Sequence, residues 1–296
     1  MKGRVVVTGA SGFVGGALVP LLKERGWTAL PLGRDQVGEI GPDTAWEPFL
    51  MQADAVIHLA GMKDSASEDP ETEASLHRVN GDGTERLAAE AIRAGVRRFI
   101  YVSSVKAVAE TAPGVVTAND APRPRTAYGR SKLAGEQALI RTASDRLETV
   151  IFRPPLVYGP GMDGHLPALA RLVKRGIPLP FAGIANCRSF IYVGNLADVL
   201  ERGLTMSPGT YLPSDQHDLS VPDLVRAVAH ALDRPARLFP MPAVLLRLAV
   251  RLAGQADMLE RLFGDLRVDG IVPGWRPPTP IEAAFRLTFS GPRARL

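Results

Sequence analysis

Cysteine is nearly absent from this chain: Cys187 is the only one among 296 residues. A disulfide within the chain is therefore excluded, and a reducing compartment, the cytoplasm, is the expectation. Long apolar runs are lacking too. The most membrane-like stretch, Ala243 to Phe263, carries Arg247, Arg251, Asp257, Glu260 and Arg261, more charge than a spanning helix tolerates. Amphipathic helices packed on the protein or on a partner are expected there, with no membrane insertion. Blocks of like charge are also missing, since the net charge of +4 comes from scattered arginines and aromatics make up only 6%. That composition speaks against a nucleic-acid partner and leaves room for a basic cleft that takes a small anion. No leader is expected, because Met1-Lys2-Gly3-Arg4 is followed by a three-valine run and then Thr8-Gly9. Repeats, low-complexity tracts and a metal site are not expected.

What is present is an alternation of short apolar runs and helix-period segments. Strands are expected at Arg4–Val7, Thr28–Leu32, Ala55–Leu59, Phe99–Val102 and Thr149–Phe152. Helices are expected at Phe13–Arg25, Thr84–Ala94 and Ala127–Thr142; in the second, Leu87, Ala88, Ala91 and Ile92 recur at helical spacing. This pattern predicts an α/β fold with a parallel sheet covered on both faces. Beyond Arg153-Pro154-Pro155 prolines become frequent, and a smaller C-terminal lobe is expected over 156–296, after a first domain at 1–155. The stretch 186–205 is expected to return to the first domain, with Ser189–Val193 as a strand.

Two local patterns carry chemistry. In "RVVVTGASGFVGGALVPLL" a buried strand runs into a glycine-spaced turn and then a helix. Gly9 permits the tight turn, Gly12 lets the backbone approach a pyrophosphate, and Gly15 lets helix and strand pack closely, while the helix N-terminal N–H groups face the phosphates. In "RTAYGRSKLAGEQ" Tyr128 and Lys132 stand four residues apart, on one side of a helix that follows the fourth strand. A phenol can exchange a proton with a substrate oxygen when its pKa is pulled down from about 10, and a neighbouring ammonium does that.

The spacing Thr8-Gly9-x-x-Gly12-x-x-Gly15, with Tyr128-x-x-x-Lys132 and the serines of "YVSSVKAV", resembles the extended short-chain dehydrogenase/reductases, the NAD(P)-dependent sugar-nucleotide epimerases and dehydratases. The resemblance implies a doubly wound Rossmann sheet and a catalytic set of Ser104, Tyr128 and Lys132, with Ser103 the alternative serine. It further implies that Ser11, Phe13 and Val14 meet the cofactor, that Leu59, Ala60 and Gly61 back onto it, and that Lys63 lies near its phosphates. By the same resemblance Glu39 and Ile40 meet the adenine, Asn80 contacts the cofactor region while bracing the sheet, and Pro155 follows the fifth strand at the cofactor. Where such proteins usually place a ribose-binding carboxylate, this chain has Gly33 followed by Arg34. A guanidinium there suits the 2′-phosphate of NADP; a swing of Asp35 to the ribose would instead suit NAD. His58 is expected to be a hydrogen-bonded strand histidine.

The segment "CRSFIYVGNLADV" makes Arg188 the candidate contact for a substrate diphosphate, although apolar Leu156 replaces the asparagine many epimerases use. Val105-Lys106 after Ser104, in place of an acid pair, counts against dehydration. The series "SSVKAV", "YGRSK", "RPPLVYGPG" and "RSFIYV" is similar to a subgroup that includes 4-keto-sugar reductases of surface-polysaccharide synthesis. "GWRPPTPIEAAF" resembles the family's closing segment. The expectation is NADP(H)-dependent oxidoreduction at C4 of a nucleotide-activated sugar. The rivals are NAD-dependent 4-epimerisation, reduction of a non-sugar carbonyl, and a cofactor-sensing protein that performs no chemistry. A homodimer through the helices at Thr84–Ala94 and Ala127–Thr142 is implied by resemblance alone.

Overall fold

The computed structural model describes residues 2–63, 69–143, 146–252, 259 and 262–290. Asp257, Glu260 and Arg261, which weigh against a membrane span in the sequence, lie outside the described residues. No helix among the described residues is long and apolar enough to cross a membrane.

In chain order the strands are β1 (Arg4–Thr8), β2 (Thr28–Leu32), β3 (Ala55–His58), β4 (Arg98–Val102), β5 (Val115–Val116), β6 (Glu148–Phe152), β7 (Leu156–Tyr158), β8 (Phe190–Tyr192), β9 (Gly209–Tyr211) and β10 (Arg267–Val268). Six of them form one parallel sheet in the order β2-β1-β3-β4-β6-β9. The chain moves outward from β1 to β2, then crosses back to place β3 on the other side of β1, with Val5 opposite both Ala29 and Ala55. That reversal opens a crevice at the carboxyl ends of β1 and β3, the usual ligand position in a doubly wound sheet.

The strands alternate strictly between two cores. Val5, Val7, Ile57, Ile100, Val150 and Phe152 face Leu18 and Leu22 of α1 (Phe13–Glu24), together with Leu196, Val199 and Leu200. Val6, Val56, Phe99, Tyr101 and Ile151 face the opposite way, toward Leu87, Ala88, Ala91 and Leu139. Both faces are dry, so the strands read as continuous apolar runs. Pro31 is tolerated because β2 is an edge strand, where a missing N–H breaks no ladder.

Short helices α2 (Arg34–Val37) and α3 (Glu47–Leu50) follow β2, and α4 (Pro70–His77) leads through a π-helical turn at Arg78–Asp82 into α5 (Gly83–Arg93). The sixteen-residue α6 (Ala127–Thr142) has the expected bounds. The second half adds α7 (His165–Lys174), α8 (Val193–Arg202), α9 (Val221–Ala231), α10 (Ala243–Leu252) and a closing helix at Ile281–Ser290.

Two features differ from the sequence reading. The strand expected at Ser189–Val193 forms as β8, but it pairs with β7 in a separate two-stranded sheet, Leu156 opposite Phe190. The sixth strand of the main sheet is β9, only three residues long, and α8 supplies Leu196 and Leu200 to the core under α1. Chain position 155 is therefore not a spatial boundary. The lobe is joined to this core through Asp215, which is buried and accepts hydrogen bonds from Tyr158 Oη at 2.8 Å, Asn195 Nδ2 at 2.8 Å and the Tyr192 N–H at 3.0 Å.

A buried ion pair fastens α6 to the end of β6. Arg153 Nε donates to Glu136 Oε1 at 2.9 Å and its terminal nitrogen to Oε2 at 2.6 Å, both residues almost fully buried. Removing one partner leaves an uncompensated buried charge. Arg153→Met should therefore lower unfolding stability in urea by about 3–5 kcal/mol, while Glu136→Leu combined with Arg153→Met should recover most of the loss. A single variant as stable as the parent would show that the pair is not load-sharing in this way.

Candidate active site

The turn after β1 is built by close backbone approach. Gly9 has a φ of +67°, and a Cβ there would lie 2.7 Å from the Ala60 nitrogen. The glycine turn is thus pressed against the residues after β3, Leu59 and Ala60. At Gly15 a Cβ would meet the Ala10 carbonyl oxygen at 2.5 Å, so the first turn of α1 can sit close to the loop only without a side chain. Gly12 caps α1 in extended conformation with no side-chain cap and no acidic residue in the first helical turn. Its N–H groups are therefore presented toward an incoming anion. Ser11 lies beside Gly33, whose Cβ would come 3.3 Å from Ser11 Oγ, and Phe13 and Val14 are half-buried against the lobe.

After β2, the Gly33 N–H donates to Gln36 Oε1 at 2.8 Å, which leaves Arg34 and Asp35 both exposed at the start of α2. Glu39 and Ile40 line a cavity of about 360 Å³ together with Thr44, Ser75, Arg78 and Val79. Gly61, beyond β3, adjoins the lysine of α6: a Cβ at Gly61 would stand 3.5 Å from Lys132 Nζ. Lys63 is exposed, with its ammonium 3.7 Å from the Asp163 carboxylate. Pro155 is buried just past β6.

Asn80 is buried and its side chain makes three hydrogen bonds. Its Oδ1 accepts the Met62 N–H at 2.8 Å, while Nδ2 donates to the Met62 carbonyl at 3.2 Å and to Ser131 Oγ at 2.9 Å. The amide has both N–H bonds engaged, and its Oδ1 accepts one hydrogen bond. It ties the loop after β3 to α6, which is the bracing half of the expectation.

The start of α6 is fixed by a carboxylate that sequence reasoning missed. Buried Glu110 accepts the Thr126 hydroxyl at 2.8 Å and the Thr126 N–H at 3.0 Å, and it also accepts the Arg125 N–H. Thr126 in turn caps the Gly129 N–H at 3.1 Å. At Gly129 a Cβ would overlap the Lys106 carbonyl oxygen, so α6 lies directly on the serine-bearing loop. No spacing rule links Glu110 to a helix sixteen residues later; only the Thr126 cap signal was local. Ser104 heads the turn at Val105–Ala107, where its Oγ accepts the Lys106 N–H at 3.2 Å, and it is half-buried. Ser103 is buried, and its hydroxyl has no hydrogen-bond partner among the described residues. Of the two serines, Ser104 is the more exposed. Half-buried Tyr128 has Lys106 Nζ 5.9 Å from its ring centre, and Lys132 Nζ stands 4.8 Å over the ring of Tyr101.

Electrostatics follow from this packing. Burial pushes the Lys132 ammonium down to about 8, opposed only by the charge of Glu136. Burial, reinforced by Lys132, pushes His58 down to about 3, so its ring is neutral and held between the hydroxyls of Thr8 at 2.7 Å and Thr84 at 3.1 Å. Burial raises Tyr101, which stays a phenol. Arg188 lies in the lobe, its guanidinium held by the Gly264 carbonyl at 3.1 Å and its backbone paired with Leu219. Leu156 opens β7 and is exposed.

Comparison with known proteins agrees with this architecture. The model of the NAD dependent epimerase/dehydratase family matches residues 5–211. A UDP-glucose 4-epimerase from Vibrio cholerae is 36% identical over 97% of this chain and 95% of its own length. A dTDP-4-dehydrorhamnose reductase from Mycolicibacterium smegmatis is 33% identical over 60% of this chain and 52% of its own. The solved structure of a UDP-glucose 4-epimerase from Thermus thermophilus in complex with NAD shares the fold, with a TM-score of 0.74, 24% identity, and coverage of 99% of this chain and 100% of that one. On the strength of a match that runs from β1 through β9, the chain belongs to the NAD dependent epimerase/dehydratase family and is an enzyme.

Proposed function

We propose that the protein catalyses NADP(H)-dependent oxidoreduction at C4 of a nucleotide-activated sugar. What supports the proposal is that the glycine turn after β1, Gly61 after β3 and Ser104 after β4 all leave the carboxyl end of one parallel sheet, where α6 brings Lys132 beside Gly61 and packs Gly129 on the Lys106 carbonyl. The residues present fit a dinucleotide: Gly9 and Gly15 let the turn fold tightly against the backbone of Ala60 and Ala10, and the uncapped start of α1 offers N–H groups to phosphates. Gly9, Ser11, Gly12, Phe13, Val14 and Gly15 would hold the pyrophosphate side, with Leu59, Ala60 and Gly61 behind it. A bound nicotinamide supplies hydride exchange with the substrate carbon.

The chain supplies the rest. Tyr128 Oη gives a proton to the substrate oxygen in reduction and takes it in oxidation, and Ser104 Oγ hydrogen-bonds that oxygen as charge develops. Lys132, cationic at neutral pH and beside Gly61, favours the phenolate. Arg188 pairs with a substrate diphosphate, and Arg34 takes the 2′-phosphate. The enzyme is read as cytoplasmic and as a homodimer through α5 and α6, where Ile140 stands exposed on α6. The Vibrio and Mycolicibacterium relatives, a UDP-glucose 4-epimerase and a dTDP-4-dehydrorhamnose reductase, are both named for carbon 4 of a nucleotide sugar, which supports that position. NAD-dependent 4-epimerisation is the second reading, favoured by the 36% identity to the Vibrio epimerase. A non-catalytic sensor has no use for a lysine buried at the expense of its charge.

The cofactor released on denaturing the purified protein separates the two enzyme readings. An exchangeable or empty NADP site fits the reductase, whereas stoichiometric tightly held NAD overturns it in favour of the epimerase. Arg34→Ala should weaken NADPH relative to NADH by about tenfold or more, the worth of one charge-assisted contact. An unchanged ratio would remove Arg34 from the 2′-phosphate.

Lys132 gives a second test. Its folded pKa of about 8 lies below the ordinary 10.5, so the unfolded chain holds this proton to higher pH than the folded one. The charge thus costs on the order of 3 kcal/mol below about pH 8, and the cost is relieved as pH rises toward 10.5. Lys132→Met should raise the melting temperature of the ligand-free protein by a few degrees at pH 7, less at pH 10, while turnover collapses. A lower melting temperature at pH 7 would show that the ammonium is fully compensated.

A further inference from the structure

We propose that the outward face of α10 docks on the surface of an anionic lipid bilayer, so that the enzyme works as a peripheral membrane protein. The inference goes beyond the proposed reaction and does not depend on it.

The helix is apolar on two opposite sides. Leu246 and Val250 are buried against Ile184, Val221 and Leu262. Val244, Leu248 and Leu252 recur every four residues on the other side, with Leu245 beside them, and these four are 76, 52, 80 and 54% exposed. A helix that packs on its own protein needs one apolar stripe, so the second one is unexplained by the fold. Isolated exposed aliphatic side chains are ordinary; one valine and three leucines side by side on a single short helix are not.

Charge indicates what covers this face. From Arg234 to Leu252 the chain carries four arginines and no acidic residue. Arg247 and Arg251 flank the exposed leucines, both exposed themselves, and neither makes an ion pair among the described residues. Arg247 lies 4.7 Å over the ring of Phe263, which holds it at the edge of the apolar strip. Just before the helix, Arg237 donates to the Gly176 carbonyl at 3.3 Å, which brings it beside exposed Lys174 and Arg175. An apolar strip rimmed by cations of one sign matches an interface of acyl chains beneath anionic headgroups. A second copy fits less well, because a two-fold pairing of this face would set arginines against arginines. With ten residues α10 lies on a bilayer and does not span it.

The placement has a consequence for the site. Gly264, next to Phe263 in the chain, holds the Arg188 guanidinium through its carbonyl. Docking through α10 therefore brings the Arg188 side of the lobe close to the headgroup layer.

The test is co-sedimentation of the full-length protein with large vesicles, either pure phosphatidylcholine or phosphatidylcholine mixed with phosphatidylglycerol. The parent should partition to the mixed vesicles at least about tenfold more strongly than to the neutral ones, and added salt should release it. Leu245→Glu combined with Leu248→Glu, and separately Arg251→Glu, should each weaken that binding about tenfold. These side chains are exposed, so the melting temperature should hold. Equal binding to both vesicle types, no binding to either, or variants that bind like the parent would overturn the proposal. Sedimentation velocity adds one more outcome: a parent dimer made monomeric by the leucine variant would assign the face to a second copy and overturn the bilayer as its occupant. None of these readouts requires turnover, so failure here leaves the proposed chemistry standing, and failure of that chemistry leaves this untouched.

Discussion

The contact of α6 with the π-helical turn at Arg78–Asp82 and with the loop that follows β4 is the constraint on which the site rests. Two glycines make it close: at Gly129 a Cβ would overlap the Lys106 carbonyl, and at Gly135 it would overlap the Asn80 carbonyl. Hydrogen bonds then remove the remaining freedom. Glu110 holds the residues ahead of the helix, Asn80 reaches Ser131 one turn in, and the Glu136–Arg153 pair fastens the middle to β6. A phenol and an ammonium on such a helix cannot drift, and proton transfer needs that fixity.

The same packing creates an electrostatic tension. Lys132 is buried among Tyr101, Gly61 and Asn80, with its nearest anion, Glu136, already committed to Arg153. The ring of Tyr101 offers only partial relief through its face. The site thus holds a charge that the fold alone does not favour, an arrangement common where function, not stability, sets the residue. His58 shows the opposite outcome in the same neighbourhood, being kept neutral and satisfied by two hydroxyls.

Much of this was legible in the sequence because it is local. The glycine spacing sits between a strand and a helix, and Tyr128 and Lys132 are one helical turn apart, so short-range geometry determines both. Pairings decided by tertiary contact were not legible. β9 is too short to show a period, and β8 is as apolar as a sheet strand yet finds β7 instead. Glu110 and Asp215 act on groups far along the chain, and nothing in composition distinguishes them from solvated acids. The bonds that tie Asn80 to Met62 and Ser131 span 18 and 51 residues, so no local pattern announces them. The α10 segment reads as amphipathic from its arginines, but only its packing shows that apolar residues lie on both sides.

In the proposed reaction the hydroxyl of Tyr128 moves the proton while its helix merely holds it there. Replacing that residue with phenylalanine removes the oxygen and little else. Tyr128→Phe is expected to lose turnover by at least about a hundredfold, the usual worth of a positioned acid or base, while dinucleotide affinity measured by calorimetry stays close to the parent. Turnover that survives the substitution would contradict it.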